Sequence, residues 1–350
     1  MASSKEDGAA VAAAEQLGSI SLGDSEESKD NETEPTANET PTKFCSACGK
    51  KSDALMKCRA CKCVWYCDKK CQNRHWKEHK KECRRIKKIL DSRGGKLDVG
   101  SELDIGPLGK VPPREECPIC MSVLPIREFL STYAPCCGKT LCGGCEYMHQ
   151  MKSSGELTCA FCREPISRSD EERLARLGKR VKLKDPYALQ NLGLLYCTGS
   201  YGLSVNQKKG IDLLREAADL GCTVAQYQLA AFHHNGEMSL EENKEEALKY
   251  FTKAAEGGDV VARHNLGHVQ KNNGDFVSAM RCWRLSASGG IRRSMEDLID
   301  YFEGGVLHHG DLTETMQAMY RSKAEMRSDA RGKYIAYLKM TGEYEDDADY

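Results

Sequence analysis

The sequence predicts a multidomain chain with a disordered N-terminal tail, two small cysteine-rich cross-brace modules, and a C-terminal all-α solenoid of helical repeats. Three observations carry this expectation. Sixteen of the nineteen cysteines fall between Cys45 and Cys162, largely in Cys-x2-Cys pairs. Leu192, Leu229, Leu266 and Leu298 recur at intervals of 37, 37 and 32 residues, and Gly221, Gly258 and Gly290 at 37 and 32. Residues 1–42 hold ten acidic residues against two lysines and no aromatic residue.

The tail, 1–42, has too little apolar surface to offset the entropy of ordering it, so disorder is expected there. A helix over Ala9–Leu17 would be marginal alone. The formal net charge of −1 excludes a polyanion binder as a whole, although residues 69–88 concentrate ten Lys/Arg against two Glu. No apolar run approaches the roughly 18 residues that a bilayer span needs, and mean hydropathy is −0.58. The N-terminus lacks the basic-then-apolar order of a secretory signal. These features lead to the expectation of an intracellular protein, in cytoplasm or nucleus, with no membrane partner. Reduced thiols in paired spacing then point to zinc rather than to disulfides.

The first cysteine block, 43–91, runs Cys45-x2-Cys48, Cys58-x2-Cys61, Cys67-x3-Cys71 and His79-x3-Cys83. That makes eight ligands, enough for two tetrahedral ions. His79 and Cys83 are four apart and share a helix face. The block resembles a MYND finger, including Tyr66-Cys67 and the tail CQNRHWKEHKKEC. By that resemblance the pairs interleave: Cys45, Cys48, Cys67 and Cys71 hold one zinc, and Cys58, Cys61, His79 and Cys83 the other. Cys63 and His75 stand outside the pattern, read as a spare thiol and a surface imidazole, with a substitute ligand as the alternative for either. The resemblance also implies docking of proline-containing peptides at Gln72 and Trp76; equally, Trp76 packs over a minimal zinc core. Arg59 replaces a small residue found in some peptide binders. The basic stretch KKECRRIKK, 80–88, reads as a solvated helix face, with a nucleic-acid contact or nuclear signal as the alternative; it lacks the aromatic platform that nucleic-acid binding uses.

A Gly/Pro-punctuated linker, 92–114, precedes the second block, 115–168. Its cysteines are Cys117-x2-Cys120, Cys136-Cys137, Cys142-x2-Cys145 and Cys159-x2-Cys162. The opening CPIC and closing CAFCREP resemble an all-cysteine RING finger, in which Cys136 and Cys137 together make up for an absent histidine. That resemblance implies one zinc on Cys117, Cys120, Cys142 and Cys145 and a second on Cys136, Cys137, Cys159 and Cys162. The chain therefore calls for four zinc ions, two per module. The opposing reading is a degenerate finger with only the first of these sites filled and His149 unused. Lys139 is expected on an exposed loop. A RING ligase has no nucleophile and acts by positioning. The family's contacts to a ubiquitin-conjugating enzyme map onto Ile119, Arg163 and Pro165, with Tyr147 or Met148 as the central apolar contact; Ala160 stands where the family carries proline.

From 170 onward helical periodicity takes over, with a lead-in helix at 170–185 and repeats over 186–328. Asp185-Pro186 is a helix start signal. Ala217-Ala218 and Ala254-Ala255 allow close helix contact, and the recurring glycines end the second helix of each pair. Periods of this size mean stacked helical pairs. The repeats resemble Sel-1-like repeats, relatives of tetratricopeptide repeats, and imply protein partners; a rigid spacer is the plainer alternative. The fourth repeat, about 291–328, has lost the repeat marks, as an end cap does. A C-terminal helix and acidic tail, 329–350, close the chain. Cys197, Cys222 and Cys282 read as small core hydrophobes. The function read from these modules is a zinc-binding protein-interaction scaffold, acting as a RING-type ubiquitin ligase that recruits substrates through finger and repeats. The alternative is a non-catalytic zinc-dependent adaptor. A methyltransferase is set aside, because no catalytic SET segment is recognisable.

Overall fold

The computed structural model describes residues 43–97, 104–126, 130–153 and 155–344. The expected tail 1–42, with its short helix, and the end of the acidic C-terminal segment lie outside the described residues. Within the first cysteine block, β1 (Met56–Lys57) pairs antiparallel with β2 (Trp65–Tyr66), and α1 (Lys69–Ser92) follows. Asp68 caps α1 by accepting from the Cys71 N–H, and residues at helical spacing, His75, His79, Glu82, Cys83, Ile86 and Leu90, form its buried face. In the second block, β3 (Ser131–Ala134) pairs antiparallel with β4 (Lys139–Cys142), which leads into α2 (Gly143–Gln150). Lys139 is exposed, but it pairs with Ala134 as the first residue of a strand and is not a loop residue.

The solenoid starts at α3 (Asp170–Lys182). Helical pairs follow: α4 (Pro186–Thr198) with α5 (Gln207–Asp219), α6 (Thr223–Asn235) with α7 (Lys244–Glu256), and α8 (Val260–Asn272) with α9 (Phe276–Ser288). The periodicity extends to the caps. Asp185 and Asp259 cap the first helices of their pairs with bonds to two backbone N–H groups each, and Asn206, Asn243 and Asp275 cap the second helices. Gly221, Gly258 and Gly290 follow the second helices at φ of +87°, +97° and +115°, a conformation that costs glycine little and other residues more. The series ends with α10 (Arg292–Glu303), α11 (His309–Glu325) and α12 (Asp329–Thr341).

One apolar core runs from Leu177 in α3 to Leu266 in α8. A second joins Cys83, Ile86, Ile89 and Leu90 of the finger to Met280, Trp283, Phe302, Met316 and Tyr320 of the last repeats. The terminal repeat therefore buries its apolar face under α1. The basic stretch 80–88 takes part in this contact and is not simply a solvated face: Lys81 pairs with Glu296 at 2.6 Å, and Arg85 pairs with Glu303 at 2.8 Å and also with Asp300. His75, expected at the surface, is 2% exposed. Its Nδ1 lies 3.0 Å from the Tyr66 hydroxyl, and its ring meets Tyr320 edge-on at 4.2 Å.

The described part of the linker is strapped along the repeats. Ile105 is buried and its carbonyl accepts from Arg281 Nε at 3.1 Å. Arg284 donates to the Gly106 carbonyl at 2.7 Å, and Arg114 donates to the carbonyls of Gly289 and Leu124 at 3.0 and 2.8 Å. Cys197 and Cys222 are buried in the solenoid core, and Cys282 is half-buried against it.

The second block meets α12 through the Gly143-Gly144 pair. A Cβ on Gly143 would lie 2.3 Å from the Tyr334 ring, and one on Gly144 would lie 2.6 Å from the Arg331 backbone nitrogen. Backbone cannot step aside as a flexible side chain does, so Gly144→Ala is expected to destabilise by about 1–3 kcal/mol. Gly178→Ala, on α3 with open space around the added methyl, is expected to stabilise by about 0.5–1 kcal/mol. Thermal unfolding of the two variants should therefore shift in opposite directions, with faster hydrogen exchange over 329–341 in Gly144→Ala alone.

Candidate metal centres

Four Cys-x2-Cys pairs share one turn. Cys45/Cys48, Cys58/Cys61, Cys117/Cys120 and Cys159/Cys162 are each followed by a residue with positive φ: Gly49 (74°), Lys62 (59°), Met121 (53°) and Arg163 (66°). That residue's N–H donates back to the carbonyl of the first cysteine at 2.8, 3.0, 2.9 and 3.0 Å respectively. The turn aims both thiols of a pair at one point. Three of the four positions are not glycine, so the left-handed conformation costs energy that the closed knuckle must offset.

The described residues bring the cysteines together in four groups. They are Cys45, Cys48, Cys67 and Cys71; Cys58, Cys61, His79 and Cys83; Cys117, Cys120, Cys142 and Cys145; and Cys136, Cys137, Cys159 and Cys162. Tetrahedral zinc with bonds of about 2.3 Å to sulfur places neighbouring sulfurs about 3.8 Å apart. The Sγ–Sγ separations are 3.7 Å for Cys48–Cys67, 3.7 Å for Cys58–Cys83, 3.8 Å for Cys120–Cys142, 4.0 Å for Cys137–Cys159 and 3.4 Å for Cys136–Cys162. His79 Nε2 lies 3.3 Å from Cys61 Sγ. Donor identity, number and spacing all fit zinc.

The electrostatics agree. Thiolates packed this closely cannot all ionise without a cation, so the groups divide their protons unequally. A hydrogen bond with Cys142 holds the Cys117 thiol down to about 4, and the same bond pushes Cys142 up. Cys58 is likewise lowered, first by its bond with Cys61, while Cys83 is raised, first by its bond with Cys58. A zinc ion removes the conflict by making every thiolate a ligand.

Adjacent Cys136 and Cys137 fit through a hairpin. Pro135, Cys136, Cys137 and Gly138 form the turn between β3 and β4, with Gly138 at φ +70° donating to the Ala134 carbonyl at 2.8 Å. The two thiols face different members of the Cys159/Cys162 knuckle, Cys136 facing Cys162 and Cys137 facing Cys159. His149 is used elsewhere: Arg163 Nη1 donates to its Nδ1 at 2.6 Å, leaving Nε2 to donate to Thr158 Oγ1 at 2.9 Å. Cys63 is buried and donates to the Cys61 carbonyl at 3.2 Å, outside every ligand group.

The ligands' supporting contacts come from the solenoid, across sequence separations that no local pattern signals. Tyr320 accepts from His79 Nδ1 at 3.3 Å, which leaves Nε2 for the metal. His309 Nε2 donates to the Cys61 carbonyl at 2.9 Å. Arg331, buried, donates to Val123 O at 2.6 Å, Ser122 O at 3.2 Å and Cys120 Sγ at 3.7 Å. Arg180 donates to the Cys136 carbonyl at 2.9 Å. Such contacts orient ligands and tune metal affinity.

The remaining site residues divide by exposure. Trp76 is 37% exposed and Gln72 is partly exposed one turn away on the same face of α1. Ile119 is 40% exposed, whereas Ala160 is 6% exposed. The Pro165 carbonyl accepts from Arg176 at 2.6 Å. Tyr147 packs against Tyr334 and Tyr337 of α12, with ring centroids 5.7 and 5.1 Å apart.

Comparison with known proteins agrees with the two flanking modules. The MYND finger family matches residues 45–83, and the Sel1 repeat family matches 186–222 and 223–259. The chain is 29% identical over 165 residues to chitin synthase regulatory factor 2 of Schizosaccharomyces pombe, covering 43% of this chain and 32% of that protein. It is 46% identical over 44 residues to histone-lysine N-methyltransferase Smyd1 of Mus musculus, covering 13% and 9%. The crystal structure of a Sel1 repeat protein from Oxalobacter formigenes aligns with 37% of this chain and 98% of that one, at 25% identity and a TM-score of 0.34. The chain spans a third or less of the length of these curated relatives.

Native mass spectrometry of the full chain is expected to find four zinc ions on the cysteine groups, and one fewer ion in the double variant Cys136→Ser/Cys137→Ser than in the wild type under the same zinc. Equal zinc content in the wild type and the double variant would overturn the adjacent-cysteine site. Ligand set and family match together make residues 45–83 a zinc-binding MYND finger and residues 186–259 a pair of Sel1 repeats.

Proposed function

We propose that this zinc-binding interaction scaffold docks a proline-containing peptide on the free face of α1 and a second protein on its repeats. The observation that carries the reading is the division of α1 into two faces. His75, His79, Cys83 and Ile86 are buried toward the last repeats, whereas Gln72 and Trp76 face outward. An exposed indole with a neighbouring amide suits an extended proline segment, which brings low ordering entropy to an aromatic surface. On the repeats, Arg114, Tyr187, Tyr227, Asp259 and Arg293 line a cavity of about 740 Å³ between the linker strap and the interhelix turns. Its mix of aromatic and charged groups suits a polypeptide segment.

In this reading the module at 115–168 is a structural brace. Its helix α2 lies under α12, with Tyr147 against Tyr334 and Tyr337, so the apolar contact expected from Tyr147 is taken up within the chain. The guanidinium of Arg163 is engaged by His149. The second reading, a RING-type ubiquitin ligase with Ile119, Arg163 and Pro165 at the conjugating enzyme, is favoured by the exposure of Ile119 in the first knuckle.

Two measurements test this. Fluorescence anisotropy against a library of proline-containing peptides should find a binder that Trp76→Ala weakens about ten-fold or more, the scale of an aromatic anchor, with the zinc content of the finger unchanged. Self-ubiquitination by the zinc-loaded full chain should be silent with every conjugating enzyme tried. Activity that Ile119→Ala removes would instead establish the ligase.

A further inference from the structure

A cluster of side chains of metal-ligating type lies in the solenoid, away from both cysteine modules. His264 and His268 stand four apart on α8 and so share a face; Asp297 reaches them from α10. His268 Nε2 is 3.2 Å from His264 Nε2 and 3.5 Å from Asp297 Oδ2. A tetrahedral ion with bonds of about 2.0–2.1 Å to nitrogen and oxygen sets its ligands roughly 3.3 Å apart, so both separations suit one ion. We propose that His264, His268 and Asp297 form a fifth divalent-metal site, of the zinc class, with three protein ligands and room for water as the fourth.

The tautomer of His264 is set by a directed chain of hydrogen bonds. Ser286 Oγ donates to the Val260 carbonyl at 2.7 Å, and Ser294 Oγ donates to Ser286 Oγ at 2.9 Å. With its one proton committed, Ser294 Oγ accepts from His264 Nδ1 at 2.8 Å. The proton therefore sits on Nδ1, and the Nε2 lone pair points at His268. Ser286 and Ser294 are fully buried, which makes this a built support rather than a surface accident. Metal-binding histidines are oriented by such a second bond from the other ring nitrogen.

The carboxylate shows the complementary deficit. Asp297 Oδ2 is buried and makes no hydrogen bond among the described residues; it lies 3.5 Å from His268 Nε2 and 3.7 Å from His264 Nδ1, contacts too long to satisfy an acceptor, and a cation would relieve it. Trp283 closes the far side, its ring 5.2 Å from His268. Access exists, because the His268 side chain is 41% exposed and His264 lines the cavity described above. Nitrogen and carboxylate donors without thiolate select zinc, cobalt or nickel over the softer ions. An ion here would tie α8 of the third repeat to α10 of the fourth, the helix with which Lys81 and Arg85 of α1 pair.

The test uses the untagged full chain loaded with its thiolate-bound zinc, titrated with Zn2+ and read by native mass spectrometry. The wild type should take up one ion more than Asp297→Asn, and Ser294→Ala should weaken that uptake about ten-fold or more. Because the readout is the difference between wild type and Asp297→Asn, it holds whether the cysteine modules carry four ions or fewer. Co2+ offers a second readout: the extra ion should add ligand-field absorption without the thiolate charge-transfer bands that cobalt gives at the cysteine sites. Equal uptake by wild type and Asp297→Asn, or an extra ion carrying thiolate bands, would overturn the site.

Discussion

Everything in this molecule leans on the requirement that crowded thiolates meet a cation. Sixteen ligands stand in four groups whose sulfurs approach within about 4 Å, and without metal each group is forced into an unequal division of protons. The strands beside them are two to four residues long, too short to hold a fold independently. The knuckles add left-handed Lys62, Met121 and Arg163. Metal coordination is therefore what offsets both the strain and the small core, since small modules of this kind draw much of their folding energy from the metal.

That requirement reaches the helical repeats because the supporting contacts are theirs. Tyr320 orients His79, His309 holds the Cys61 carbonyl, Arg331 holds the Cys120 knuckle and Arg180 holds the Cys136 carbonyl in the β3–β4 turn. The relation runs both ways. A solenoid's last repeat needs its apolar outer face covered, and here α1 covers it with Ile86, Ile89 and Leu90 in a core continuous with Trp283 and Phe302. The finger serves as the end cap that the degenerate fourth repeat cannot be by itself. The strap through Ile105, Gly106 and Arg114 keeps the two in register along the chain between them.

Local pattern accounts for what is legible in the sequence. Cys-x2-Cys spacing reports a single turn, and a 37-residue period with Asp185/Asp259 and Asn206/Asn243 reports repeated caps, so the finger, the ligand groups and the repeats all follow from short-range information. Tertiary contact accounts for what is not. His75 reads as a surface residue beside lysines, yet Tyr320, 245 positions later, supplies the ring that buries it. Lys81 and Arg85 read as solvated, although Glu296 and Asp300 repeat their four-residue spacing on α10. That matched spacing is a signal, but one visible only when both helices are considered together. Lys139 reads as a loop residue only if the turn is centred one step late; the hairpin closes at Gly138.

The Gly143-Gly144 pair shows how architecture and function separate in the second module. Its two ligand groups interleave along the chain, and Ile119 in the first knuckle is exposed. Yet the helix after Cys142 begins with two residues that have no side chains, and α12 occupies the space at less than Cβ distance. Glycine at the start of a helix is poorly suited to holding that helix for a transient visitor, since it lowers helical propensity; it is well suited to letting another backbone lie permanently against it. Tyr147 then completes the contact with Tyr334 and Tyr337. Cys142 and Cys145 tie the start of α2 into one metal group, α2 lies against α12, and Arg331 of α12 returns to the Cys120 knuckle, closing a loop of contacts between this module and the end of the solenoid.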